Sequence, residues 1–276
     1  YRFHAPRKEP DWDVIVGTLK HDRENKVLWV ANTVGRAMKF REQALARDLS
    51  PIYFYHSRFR YEDRVQRHQD LIEAFRSPGP ALAISTQVCE VSLDISADLL
   101  VSDLAPIPSM IQRLGRLNRR AVPGACTPRN ALFLEVENRL PYDEAIFDLN
   151  ASSSWLLELM GRDVSQTELA AAFEKREASR PVPRLRSEWL DGGIHSTEAP
   201  LRDADVSLPL ILDRDKAACL LNGRPDREQL VRKTLSMPMN RVATEWETWR
   251  RIGYTPVAPD HKIEYSPEVG GSWASS

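Results

Sequence analysis

Residues 85–120 read STQVCEVSLDISADLLVSDLAPIPSMIQRLGRLNRR, and this stretch decides the fold. A Ser/Thr/Gln cluster at Ser85, Thr86 and Gln87 closes one apolar run, and a lone acid follows at Asp94. A second apolar run occupies Leu99 to Ser102, and an amphipathic segment then leads into Arg116, Arg119 and Arg120. Short, nearly continuous apolar runs have the length of buried strands, whereas apolar residues recurring every three to four positions have the period of a helix.

The same alternation extends outward in both directions. Lys26 to Ala31, Ile52 to Tyr55, Ala81 to Ser85, Leu99 to Ser102 and Ala131 to Val136 read as strands; Gly35 to Asp48, Tyr61 to Arg76 and Pro108 to Asn118 read as helices. Apolar strands separated by helices imply an α/β fold with a parallel sheet covered on both faces. Ligands of such sheets meet the loops at the carboxyl ends of the strands, where Thr33, Ser57 and Thr86 fall.

Read as one continuous helix, Gln112 to Arg120 brings Gln112, Arg116 and Arg119 within about 60° of arc. An amide and two guanidiniums on one face suit phosphate oxygens and the charge that develops during phosphoryl transfer. Most Arg-rich helices are simply solvated, so it is the company this run keeps that gives it weight. Ser85 to Ile95 and Gln112 to Arg120 resemble motifs V and VI of superfamily 2 helicases, and the 85–120 wording is similar to the CRISPR-associated helicase-nucleases of type I interference systems. Trp29-Val30-Ala31-Asn32-Thr33-Val34 resembles the motif IV strand and turn, and Tyr55-His56-Ser57-Arg58-Phe59 the HSRF element of the same family. The resemblance covers Lys26 to Glu137. Ser92 departs from the glycine common in the superfamily, but Val-Ser-Leu-Asp is typical of the CRISPR branch.

The resemblance implies a RecA-like lobe and a set of roles. Arg116 and Arg119 match the motif VI arginines that reach the γ-phosphate, with Gln112 beside them; Asp94 matches the motif V acid near the nucleotide. Arg113 matches the first motif VI arginine, whose role varies between relatives and is structural in some. Asn32, Thr33, Ser57, Arg58, Thr86 and Gln87 match positions that hold the backbone of a single strand. Uncharged donors suit that task because phosphate contacts carry no sequence information. The implied function is ATP-dependent translocation on single-stranded DNA during CRISPR interference, with ATP and Mg2+ as cofactors. The implied partners are a first RecA-like lobe, an HD nuclease domain or subunit and a guide-RNA surveillance complex. A superfamily 2 lobe acting on RNA and a catalytically silent helicase-like adaptor remain alternatives.

The 276 residues contain no G-x-x-x-x-G-K-[ST] phosphate cradle and no DExH or DExD box. Together with a first β/α unit that already resembles the second lobe, this reads as the back half of a larger enzyme, inactive alone. A net charge of -1 gives no global attraction to nucleic acid, so binding rests on a local patch. Cys89, Cys126 and Cys219 are too scattered for a disulfide framework or a zinc ribbon, which places the chain in a reducing cytoplasm. Cys89 reads as a small buried apolar residue. No membrane span is expected.

Residues 1–25 read as a lead-in, 26–140 as the lobe, 141–184 as a helical linker and 185–276 as a small, loop-rich accessory domain. Within the linker, Tyr142 to Met160 reads as helical, with a possible break at Asn150 to Ser154. Ser165-Gln166-Thr167-Glu168 has the form of a capping box for a helix through about Ala178. Arg180-Pro181-Val182-Pro183 reads as extended. Trp246 and Trp249 read as one packed helical face, and His21-Asp22 as a chance occurrence of a metal-nuclease dipeptide in a polar turn.

Overall fold

The structure is a computed structural model that describes residues 1–21, 25–122, 127–142, 148–178, 207–239 and 245–274. Its centre is a six-stranded parallel sheet in the order β1-β6-β5-β2-β4-β3. The strands are β1 (Arg2–Phe3), β2 (Lys26–Val30), β3 (Ile52–Tyr55), β4 (Ala81–Ser85), β5 (Leu99–Asp103) and β6 (Asn130–Leu134). Alternation along these strands splits the core into two layers. Leu28, Val30, Ala83, Leu100 and Phe133 face one layer; Val27, Trp29, Leu82, Ile84 and Val101 face the other. The first is covered by α3 (Tyr61–Arg76) and α5 (Ile107–Leu114), the second by α1 (Trp12–His21) and α2 (Val34–Leu45). On the second face Trp29 stacks on Phe40 at 4.4 Å and meets Trp12 at 5.2 Å.

The sheet is the expected one, with additions that the sequence pattern did not show. The segment expected as a lead-in is built into the lobe. Arg2 and Phe3 pair with Asn130 and Ala131 to add an edge strand, and Ile15 of α1 is fully buried against the sheet. The linker is likewise packed down. Trp155, Leu156 and Leu159 of α6 (Leu149–Leu159) and Leu169 of α7 (Gln166–Ala178) join the same core layer as Phe3. The serine run does not break α6, because Ser152 lies on its buried side. The capping box forms as read: the Ser165 N–H donates to Glu168 Oε2 at 2.8 Å, and the Glu168 N–H donates to Ser165 Oγ at 3.1 Å. Arg180 to Pro183, Cys126 and Asp22 lie outside the described residues.

Helix α5 ends earlier than its pattern suggested, and the expected continuous helix from Gln112 to Arg120 does not form. Gly115 caps it, and the chain then pairs with the segment preceding β5. The Ala97 N–H donates to the Arg116 carbonyl and the Asn118 N–H to the Ala97 carbonyl, both at 2.8 Å. These bonds draw Leu117 into the core, and Asn118 adopts a left-handed φ of 55°. Helical bonding and this parallel bridge compete for the same backbone groups, and the bridge wins because it buries Leu117.

The C-terminal region contains a mixed sheet in the order β10-β7-β12-β11. It uses β7 (Ser207–Leu212), β10 (Leu235–Pro238), β11 (Arg251–Ile252) and β12 (Thr255–Ala258), and it carries a short helix α8 (Arg227–Lys233). Two hairpins accompany it, β8 (Leu220–Leu221) with β9 (Arg224–Pro225) and β13 (Ile263–Ser266) with β14 (Gly270–Trp273). Trp246, in a short 3-10 turn at Glu245–Thr248, and Trp249, directly after it, pack on this core, and no α-helix forms there. No helix among the described residues is long and apolar enough to cross a membrane.

Hydrogen bonds and ion pairs from this region converge on residues 56–67 of the lobe. Arg60 pairs with Asp215 at 2.6 Å, Glu62 pairs with Lys233, and the Tyr265 hydroxyl bridges the Arg60 N–H and the Asp63 carboxylate. His56 is wholly buried, with Nε2 2.9 Å from the Val269 carbonyl and Nδ1 3.0 Å from the Arg58 N–H. Only the neutral ring with its proton on Nε2 satisfies both contacts.

Burial pushes the His56 pKa down to about 3, with Arg58 and Arg67 adding to the shift against the Val269 bond. The unfolded chain therefore takes up a proton near pH 6.5 that the folded chain refuses until about pH 3, so stability falls as pH drops through that window. Each unit of separation is worth about 1.4 kcal/mol. Melting temperature should decline between pH 6.5 and 4 more steeply in the wild-type chain than in His56→Gln, which cannot titrate. Parallel melting curves across that range check this.

Candidate nucleotide and strand site

Val30 of β2 and Tyr55 of β3 both pair with Ser85 of β4, so these three neighbouring strands end level. Their following residues, Asn32 and Thr33, Ser57 and Arg58, and Thr86 and Gln87, thus share one edge of the sheet. The side chains within this set do different work. Thr33 accepts from the Arg36 N–H and caps α2, and Ser57 and Arg58 are partly exposed in the turn that follows β3. Thr86 is 3% exposed, and Gln87 donates to the Asn32 carbonyl. Asn32 is 1% exposed and turned inward, donating to the Leu104 carbonyl at 2.7 Å.

Asn32 is turned inward by Arg113. The Arg113 guanidinium is completely buried and donates to Glu90 Oε1 (3.0 Å), Ser102 Oγ (2.9 Å), the Asp103 carbonyl (3.1 Å), Asn32 Oδ1 (3.0 Å) and the Tyr142 hydroxyl (2.8 Å). Burial works against its charge, but Tyr142 and Glu90 outweigh that, and its pKa is raised. Glu90 lies in α4 (Val88–Ser92), directly after Thr86 and Gln87. One cation therefore ties together the segments after β2 and β4, the strand β5 and the helix α5. Asp103 adds a second tie, accepting from the Asn32 N–H and pairing with Arg36 at 2.7 Å.

The arginine face looks outward from this node. Arg116 is held by the carbonyls of Cys89 (3.3 Å) and Glu90 (2.7 Å). Arg119 lies 3.4 Å from Asp94, which is exposed between the buried Leu93 and Ile95 and also lies 3.9 Å from Arg76. Although the helix stops at Leu114, Gln112, Arg116 and Arg119 still line one cleft of about 940 Å³, opposite Tyr1, Gln166 and Glu168. Convergence is thus achieved by a turn rather than by a helical face. Arg120 is not among the residues that line this cleft. Cys89 is buried and its thiol pKa is pushed up to about 12 by burial, which fits a packing role.

Sequence reasoning did not identify Glu90, Ser102, Asp103, Tyr142 or Arg36 as members of this arrangement. Polar residues inside otherwise apolar runs, as in Leu99-Leu100-Val101-Ser102-Asp103, were the available signal. The donors of the cleft suit phosphate. Among the described residues no group of three or more His, Cys, Asp or Glu is placed to hold a metal ion.

Removing one partner of a buried ion pair strands the other. Arg113→Ala should therefore destabilise the chain by about 3–5 kcal/mol, whereas Arg120→Ala, at the exposed surface, should change stability by less than about 0.5 kcal/mol. Arg113→Lys should not rescue, because an ammonium has three donors and lacks the planar fork that reaches five partners. Urea denaturation of the three variants measures all of this.

Comparison with known proteins bears on the family and the fold of the chain. The family description "CRISPR-associated nuclease/helicase Cas3, C-terminal" matches residues 23–122. A Myxococcus xanthus chain named for the CRISPR-associated nuclease/helicase Cas3 is 40% identical over 265 residues, 95% of this chain and 34% of that protein. The Streptococcus thermophilus CRISPR-associated nuclease/helicase Cas3 is 39% identical over 131 residues, 44% of this chain and 13% of that protein. The chain thus spans about a third or less of these relatives. Among solved structures, T. fusca Cas3 with ADP superposes with a TM-score of 0.66 at 17% identity, covering 99% of this chain and 42% of that one, and a second CRISPR-associated protein superposes with a TM-score of 0.66 at 20% identity, covering 99% and 41%. A CRISPR RNA-guided surveillance complex in a pre-nicking state contains a chain that matches with a TM-score of 0.64 at 17% identity, covering 99% of this chain and 44% of that one. These structural likenesses concern the fold.

Proposed function

The chain belongs to the CRISPR-associated nuclease/helicase Cas3 family as its C-terminal helicase region, and from that premise we propose that it is the second RecA-like lobe of an ATP-dependent translocase on single-stranded DNA. The observation that carries this reading is the convergence of Gln112, Arg116 and Arg119 on one cleft, while three level strand ends present the 32–33, 57–58 and 86–87 segments. Arg116 and Arg119 face the γ-phosphate of ATP bound mainly by a first lobe, and they neutralise charge as the phosphoryl group departs. Mg2+, when bound, would supply further charge neutralisation at the phosphates, and residues of that first lobe would hold it.

Arg119 begins from an exposed contact with Asp94. Exposed pairs are worth about 0–1 kcal/mol, so Arg119 exchanges Asp94 for a phosphate at little cost. Arg116 is already positioned by two carbonyls, so its guanidinium is aimed before the nucleotide arrives. Closure of the lobes around ATP and release after hydrolysis move the two strand-holding surfaces relative to one another, which draws the strand along. The partners of this reading are the first lobe, an HD nuclease domain or subunit and the surveillance complex that exposes the strand, in the cytoplasm. The chain by itself, with neither the phosphate-cradle motif nor the acidic box in its sequence, hydrolyses no ATP.

In an enzyme that joins this chain to its first lobe, Arg116→Ala or Arg119→Ala should lower kcat by roughly 10³-fold or more, with a smaller effect on nucleotide binding. Arg120→Ala should matter less. Steady-state ATPase kinetics decide it, and an Arg120 defect larger than both of the others would mean the arginine face is wrongly assigned.

Thr86→Ala/Gln87→Ala should weaken single-strand binding similarly across base compositions while retaining more ATPase activity at saturating DNA than Arg116→Ala does. Fluorescence anisotropy with several oligonucleotides, run beside ATPase assays, tests this; unchanged binding removes the segment from the strand surface.

A further inference from the structure

The turn after β3, Ser57 to Arg60, carries backbone groups that no ladder satisfies, and the C-terminal region satisfies them. The Arg58 carbonyl accepts from the Gly271 N–H at 2.7 Å, and the Arg60 N–H donates to the Tyr265 hydroxyl at 3.0 Å. The Arg58 N–H donates to His56 Nδ1, and that ring is in turn fixed by donating from Nε2 to the Val269 carbonyl. Both backbone groups of Arg58 are thus set, directly or through one ring, by residues 269–271.

The approach leaves no room for a side chain at Gly270. Gly270 has a φ of 83°, and a Cβ there would lie 2.6 Å from both the Arg58 carbonyl oxygen and His56 Cε1. Only glycine fits that backbone conformation and that gap. Around this contact the Arg60 guanidinium sits 4.4 Å over the Tyr265 ring, Arg67 donates to the Pro267 carbonyl at 2.9 Å, and the Tyr61 N–H donates to the Thr234 carbonyl at 3.0 Å. These contacts fall on one short segment of the lobe, the segment that leads into and out of Ser57 and Arg58.

We infer that the C-terminal region, through residues 265–271, acts as a positioning clamp: by seating the Gly270 edge of the last hairpin on the His56–Arg58 turn, it holds Ser57 and Arg58 in the arrangement that grips the strand. This rests on the strand-binding reading of Ser57 and Arg58 given above. Val269, Gly270 and Tyr265 are then positioning residues that need not touch DNA. Loss of the clamp weakens the grip without altering the chemistry at Arg116 and Arg119, because neither the 56–67 segment nor the C-terminal region lines the arginine cleft, which is organised by Arg113.

The test compares Gly270→Ala with Ser57→Ala/Arg58→Ala in the full-length enzyme, reading amide hydrogen exchange at Arg58, single-strand affinity, KM for ATP and kcat at saturating DNA. Gly270→Ala should speed exchange at Arg58 and weaken single-strand binding on the order of tenfold, the scale of one to two lost backbone contacts, with KM for ATP and saturating kcat near wild type. If Gly270→Ala lowers the yield of folded enzyme, Tyr265→Phe keeps the ring under Arg60 and removes only the bridging hydroxyl; it should give the same pattern at about twofold to fivefold. Faster exchange with wild-type strand affinity overturns the clamp. Unchanged affinity in Ser57→Ala/Arg58→Ala instead overturns the strand-binding reading on which the clamp stands, so the two failures are told apart. An equal loss of kcat and affinity, with a raised KM for ATP, marks general damage to the fold and also overturns the clamp.

Discussion

The buried Arg113 guanidinium is the constraint on which the rest of the lobe depends. A cation wholly removed from water is tolerated only if its donors are met and its charge is paired. Glu90, Ser102, Asp103, Asn32 and Tyr142 do this together. They come from four separate parts of the chain, so satisfying one side chain fixes the segment after β2, the helix α4, the strand β5 and the segment at Tyr142 relative to α5. A hydrophobic residue of equal volume would fill the space but would not specify which oxygen atoms face it.

That specification governs how the outer arginines are presented. Glu90 meets Arg113 with its carboxylate and Arg116 with its carbonyl, so the same short helix that is anchored inside also aims the guanidinium outside. Arg119 pairs with the exposed Asp94, a contact weak enough for it to change partner. Buried, half-held and loosely held arginines occur within seven positions of one another, and burial separates their tasks. Substitution at Arg113 is accordingly expected to act on stability, and at Arg116 and Arg119 on the chemistry.

The second organising contact lies at the other side of the sheet. His56 is neutral because both ring nitrogens are committed, one to its own turn and one to the C-terminal hairpin. A histidine at the junction of a strand end and the C-terminal region couples them more tightly than an exposed ion pair does, since a buried hydrogen bond is costly to leave unmade. The last hairpin is therefore continuous, in structural terms, with the turn that carries Ser57 and Arg58.

Periodicity in the amino-acid sequence determined the parallel sheet, because strands buried on both faces must be apolar throughout and helices between them must be amphipathic; Ile52 to Tyr55, Ala81 to Ser85 and Tyr61 to Arg76 were legible to the residue. The Ser165 to Glu168 capping box was legible for the same reason, being a local exchange of bonds. The order of short motifs also determined which family the chain belongs to. Tertiary structure alone decided where α5 stops, since the bridge from Ala97 to Leu117 competes with helical bonds across a separation that no local pattern contains. It decided that Arg2 and Phe3 complete the sheet, that Arg113 faces inward while Arg116 faces the cleft, and that Gly270 meets His56. Those outcomes depend on which distant groups can satisfy a buried charge or an unpaired backbone atom, and sequence spacing carries no record of that.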